Sequence, residues 1–198
     1  MGNKFAEIAF TDSVRDAQSR MKSRDVMATM TSGEPYHHVL GDNEIAFVGA
    51  RDSFYMASTG DSGWPYVQHR GGPSGFIRIL DEKTLAFPDF RGNRQYISLG
   101  NLTHDNRTCL FFMDYTNRIR LKIFGRVTTS EDSELLQKLA FPGYKARIER
   151  AMVIDVEAFD WNCPQHIVPR YSMDVVEDAT AMLRARISEL ETRLARYE

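Results

Sequence analysis

Nowhere in this sequence do about eighteen apolar residues follow one another without a charge, so no segment reads as a membrane-spanning helix. The opening residues, MGNKFAEIAF, hold no apolar run long enough for a signal peptide. Ala6 stands where myristoylation prefers Ser or Thr. The expectation is a cytoplasmic protein with no membrane partner. A basic excess is missing too: 25 Lys and Arg face 27 Asp and Glu, a formal net charge of -2, so the chain as a whole offers nucleic acid no attracting field. Cysteine is scarce, with only Cys109 and Cys163. They could pair, but a cytosolic chain of this size has little need of a disulfide, and both are read as reduced. His37, His38, His69, His104 and His166 show no His-x-x-x-His spacing, and Cys-x-x-Cys is lacking, which argues against a structural metal site. Internal repeats and low-complexity tracts are absent.

What is present suits one core, since 42% of the 198 residues are hydrophobic and 26% charged. Near the start, Thr11 or Asp12 caps a short amphipathic helix over residues 13–22, in which Val14, Ala17, Gln18 and Met21 recur at helical spacing. From residue 44 the texture changes to short β-branched and aromatic runs broken by Gly, Pro and Asp: EIAFVGA, FYMAST, PYVQHR, GFIRIL, TLAFP, TCLFFMD, RIRLKIFGRVTT and AMVIDVEAFD. Such a series reads as the strands of a barrel or sandwich. Two crossover helices interrupt it. NRQYISLGNL opens among basic residues after the Gly92-Asn93 turn, and residues 133–140 follow a Ser130 cap and stop at Pro142-Gly143. The predicted fold is therefore mainly β (α+β), in one domain over residues 1–173. A C-terminal helix over 174–198 follows, whose Val176, Leu183 and Leu190 repeat every seven residues, as Ile187 and Leu194 do. This stripe either pairs with its twin across a dimer or packs on its own barrel.

Residues 58–102 hold the chemistry. A phosphate needs clustered backbone N–H groups, best at a helix N-terminus, with Arg or Lys to match its charge. Arg91-Gly92-Asn93-Arg94 opens a predicted helix. Arg70 ends a strand and precedes Gly71-Gly72, which permits close backbone approach. Arg120 and Lys122 share a strand face by the period of two. Each taken alone reads as solvated surface charge, whereas together, with glycine at each bend, they make an anion site.

The pieces also run in a specific order: Gly63-Trp64-Pro65, Arg70-Gly71-Gly72-Pro73-Ser74-Gly75-Phe76, Leu85-Ala86-Phe87-Pro88-Asp89, Gly92-Asn93-Arg94 and Asn101-Leu102. Phe111-Phe112-Met113-Asp114, Arg120 through Gly125-Arg126, and Cys163-Pro164-Gln165-His166-Ile167 continue it, and Phe10-Thr11 with Val14 to Gln18 extend it backward. This order resembles the pyridoxamine 5'-phosphate oxidase-like FMN-binding split barrels, in particular a bacterial subgroup. The resemblance implies an antiparallel split β-barrel and a homodimer that holds FMN at its seam, the phosphate gripped by Arg70, Asn93 and Arg94. The family carries an Arg-Lys pair where this chain has Asn93-Arg94, so one cation is lost. Gly75 and Phe76 belong to the same motif. Arg120, with Lys122 beside it, falls at a polar flavin contact reaching across from the partner protomer. Trp161 and Arg170 fall near the substrate side. Because the Cys-Pro-Gln-His-Ile segment is particular to the subgroup, pyridoxamine phosphate itself is not carried over as substrate.

The implied function is an FMN-dependent oxidoreductase of a small organic molecule. The alternative is a non-catalytic binder of flavin, heme or the deazaflavin F420 on the same fold. His166 is a candidate acid or hydrogen-bond donor toward substrate, against a structural role in its loop. A Cys163-His166 nucleophile pair lacks a third member.

Overall fold

Strict alternation along a run decides which of its faces is buried. The computed structural model describes residues 2–161 and 164–196. It opens with β1 (Gly2–Asn3), the helices α1 (Lys4–Ala9), α2 (Asp12–Arg20) and α3 (Arg24–Ala28), β2 (Pro35–Tyr36) and α4 (Asp42–Gly49). The main strands follow as β3 (Ser53–Thr59), β4 (Pro65–Gly71), β5 (Arg78–Asp81) and β6 (Thr84–Phe90), then α5 (Ile97–His104). The chain continues through β7 (Arg107–Asp114), β8 (Ile119–Ser130), α6 (Ser133–Leu139), β9 (Ile148–Trp161) and α7 (Met173–Leu194). In β7, Thr108, Leu110, Phe112 and Asp114 are buried while the residues between them are more open, the mark of a sheet with one covered face.

Two compact units result: Met1–Met113 with Arg120–Cys163, and Asp114–Ile119 with Pro164–Glu198. The first holds the antiparallel seven-stranded sheet, in the order β4-β3-β7-β8-β9-β6-β5. Strands β4 and β6 stand far apart in that order, yet Arg70 on β4 meets Asp89 on β6 at 2.6 Å. The sheet must therefore coil until its distant strands face each other, as a split barrel does, while remaining open at its β4 and β5 edges. Phe54, Phe87 and Phe112 fill the coil, with ring centroids 5.0 Å apart for Phe54–Phe87 and for Phe54–Phe112. In the second unit the Thr116 hydroxyl donates to the Arg170 carbonyl at 2.9 Å, and α7 carries no buried residue. That unit joins the turn between β7 and β8 to the stretch Pro164–Glu198.

The strand expectation fails at EIAFVGA, which is helix α4. Glu44 overrides the β-prone residues: its Oε2 accepts from the backbone N–H of Gly41 at 2.9 Å, closing the first turn, and Asp42 adds a favourable charge there. Helix α1 was not foreseen either, since its cap is the Asn3 side chain accepting from Ala6 N at 3.1 Å. Asp132 rather than Ser130 caps α6. Cys163 lies outside the described residues.

Candidate functional site

Period-two alternation turns Tyr66, Gln68 and Arg70 of β4 to one side, where they wall a hollow of about 170 Å³. The other walls are Asp89 and Phe90 at the end of β6, the loop through Asn93 and Arg94, the first turn of α5, and Glu149 of β9. Helix α5 begins at Ile97, later than the basic residues expected to open it. The reason is local. Arg94 (φ 63°) and Tyr96 (φ 53°) are left-handed, and the Asn93 side chain accepts from Gln95 N at 3.1 Å, so the segment coils as a loop. Left-handed residues other than glycine cost on the order of 1–3 kcal/mol each and persist where their surroundings over-determine them.

No side chain caps α5, and Ile97, Ser98 and Leu99, whose N–H groups lack intrahelical acceptors, line the hollow. The Ser98 hydroxyl donates to Gln68 Oε1 at 2.7 Å, tying that first turn to β4. Asp89, 7% exposed, accepts from Arg70 at 2.6 Å and from Arg150 at 2.8 Å. Glu149 accepts from the Tyr96 hydroxyl at 3.2 Å and pairs with Arg91 at 3.6 Å and Arg150 at 3.7 Å. Four guanidiniums, of Arg70, Arg91, Arg94 and Arg150, thus surround two carboxylates in and around the hollow. Arg94 has no ion-pair or hydrogen-bond partner among the described residues, and the buried Nε of Arg70 finds no acceptor there. An unpaired cation, an unused buried donor and an uncapped helix start converge on one space, which is the chemistry an anion requires.

A family model described as pyridoxamine 5'-phosphate oxidase matches residues 40–168, a span that includes every wall of the hollow. The chain belongs to that family. Among solved structures, HupZ of Group A Streptococcus superposes with a TM-score of 0.51 at 16% identity, covering 67% of this chain and 100% of that one. A putative pyridoxamine 5'-phosphate oxidase of Lactobacillus delbrueckii gives 0.47 at 15% identity, over 62% and 94% of the two chains. An FMN-binding protein of Syntrophomonas wolfei gives 0.46 at 8% identity, over 77% and 96%. Identities this low speak to the fold alone. No curated protein matches the sequence.

For a pyridoxamine 5'-phosphate oxidase family member, the structure brings together only some of the residues singled out from sequence. Arg70, Asn93 and Arg94 share the hollow. Phe76 does not reach it: at 1% exposure it packs in the core against Phe54 and Phe87. Gly72 serves that packing, since a Cβ there would lie 2.8 Å from the Phe76 ring, while Gly75 takes the left-handed conformation of the bend (φ 78°). Phe76 is thus a core residue of the bend that carries it. Arg120 and Lys122 do share a strand face, directed away from the core, where both approach Asp160 at 3.7 and 3.5 Å. Trp161 donates from Nε1 to Glu44 at 2.7 Å and meets Phe47 edge-on, fastening β9 to α4. Arg170 belongs to the second unit, its guanidinium over the Tyr115 ring at 4.4 Å. Cys109 is partly buried, and burial pushes its thiol upward despite Lys122 and Arg120 nearby, which opposes a thiolate at neutral pH.

Sequence reading passed over Asp89 as a charge partner, and over Glu149 and Arg150 altogether. Asp89 lay in a quoted motif, but nothing local announced that it would neutralise Arg70. Glu149 and Arg150 enter through long-range pairing of β6 with β9, which sets Asp89 opposite Arg150.

Proposed function

We propose that this protein is an FMN-binding flavoprotein, working as a homodimer, that oxidises or reduces a small organic substrate. The observation that carries the reading is the hollow before α5, where arginines outnumber carboxylates by two, a surplus that matches a phosphate dianion. Arg94 and the first-turn N–H groups of α5 hold the phosphate. Arg70, fixed by Asp89, keeps the wall in place, and Asn93 offers its amide where the family has a cation. At about 170 Å³ the hollow falls below the roughly 300–1,000 Å³ of sites that enclose a whole ligand, so it suits the phosphate end. The ring system belongs outside it, with Arg120 and Lys122 of a second protomer as polar contacts. Trp64, Val67 and Tyr55, 78%, 60% and 40% exposed, give β3, β4 and the turn before β4 an apolar surface of the kind a second protomer covers. The flavin, when bound, supplies the electron transfer, while these residues bind and orient it.

The absorbance spectrum of the protein as purified, with mass spectrometry of whatever heat releases, tests this reading. FMN at about one copy per chain is the expected result. A protein that is empty and also refuses added FMN overturns it. Recovery of F420 would keep the phosphate hollow and replace the cofactor.

A further inference from the structure

The geometry points to α7 as one strand of a parallel, two-stranded coiled coil formed with α7 of a second copy of this chain. Met173, Val176, Thr180, Leu183, Ile187, Leu190 and Leu194 follow one another at alternating steps of three and four, a continuous a/d seam along the 22-residue helix. Nothing in its own unit buries the seam. No residue of α7 is buried, and Leu183, Ile187, Leu190 and Leu194 are 64%, 55%, 46% and 65% exposed. A helix that keeps four large aliphatics on one stripe in water lacks the partner its pattern was written for.

Two observations select a second copy and its direction. β-Branched Thr180 and Ile187 at a with Leu183 and Leu190 at d match the composition that favours two parallel strands, while Val176 at d and Leu194 at a depart from it. The flanking charges agree. In parallel register each g residue faces the e residue five positions on in the other helix, which sets Arg186 against Glu191 of the second copy, twice by symmetry. The remaining e residues, Glu177 and Arg184, face Ser172 and Ala179, so no like charges meet. Within its own helix Arg186 holds Glu189 at 2.6 Å, an exposed pair worth little and readily exchanged. Three heptads are too few for a strong association between separate chains. The inference therefore rests on the homodimer of the preceding reading for the effective concentration that makes pairing favourable.

Site-specific disulfide formation in the full chain tests it, with Cys109 and Cys163 replaced by Ser throughout. In a parallel coil Leu190→Cys sits opposite itself, so mild oxidation should link most of the protein as a covalent dimer. Met182→Cys, off the seam and 82% exposed, should lag by at least tenfold in rate. Arg186→Glu in the Leu190→Cys background should slow linkage several-fold, and adding Glu191→Arg should restore it. Equal rates for Leu190→Cys and Met182→Cys overturn the proposal. So does preferential linkage of Thr180→Cys to Leu190→Cys in a mixture, which is the antiparallel outcome. Sizing and flavin content of the same samples report on the barrel dimer separately, so loss of the coil and loss of the flavin reading remain distinguishable.

Discussion

Two aspartates, each flanked by two cations, stand on opposite faces of the same sheet and do different work. On the inner side Asp89 holds Arg70 and Arg150 at 2.6 and 2.8 Å, with side chains only 10–16% exposed. On the outer side Asp160 draws Arg120 and Lys122 no closer than 3.5 Å, with side chains 23–27% exposed. A close, buried triad cannot lose a member without stranding a charge, whereas a loose, solvated one can let its cations go to another partner. Arginines that the sequence groups as one anion site thus fall into separate charge clusters. Arg70 is fixed by Asp89, Arg94 stands free of both triads, and Arg120 and Lys122 approach Asp160 at 3.7 and 3.5 Å.

The sharpest way to break this contrast is Asp89→Ala, which strands two buried guanidiniums and should cost about 3–5 kcal/mol in urea unfolding. A cost near zero would mean that the inner triad is no more than surface charge. Next, Arg94→Ala should leave unfolding unchanged while weakening FMN roughly tenfold to a hundredfold, the loss of a charge-assisted contact. Arg184→Ala on α7 should do neither, and equal flavin affinity in the two variants would sink the phosphate assignment. Smallest is Asp160→Asn, expected to shift stability by less than about 1 kcal/mol. A cost matching that of Asp89→Ala would erase the distinction between the two faces.

Seven of the eight β-prone runs became strands because alternation and turn residues act locally, and local signals survive in a single sequence. The eighth, EIAFVGA, failed because one side chain, Glu44, reaching back to Gly41 outweighs the strand preference of its neighbours. The cations of the candidate site were legible for the same reason, as Arg-Gly and Gly-Asn-Arg turns next to a helix. Their carboxylate counterparts were not. Whether Asp89 meets Arg70 depends on how far the sheet coils, and whether Arg150 joins them depends on a register set 61 residues away in the chain. The burial of Phe76 follows from its packing on Phe54 and Phe87, which nothing local in its motif announces.

Strand β9 has a consequence for how this chain is made. In the order of the sheet it lies between β4-β3-β7-β8 on one side and β6-β5 on the other, and among the described residues it is the last strand to be made. At roughly 5–20 residues per second, β6 waits several seconds between its own synthesis and that of its partner. During that interval Leu85 and Ala86, neither of them exposed in the finished protein, pair with β5 alone, and the edge of β6 that meets β9 is open. Biosynthesis of this barrel therefore passes through a nascent β5-β6 hairpin with one unpaired edge until β9 is made.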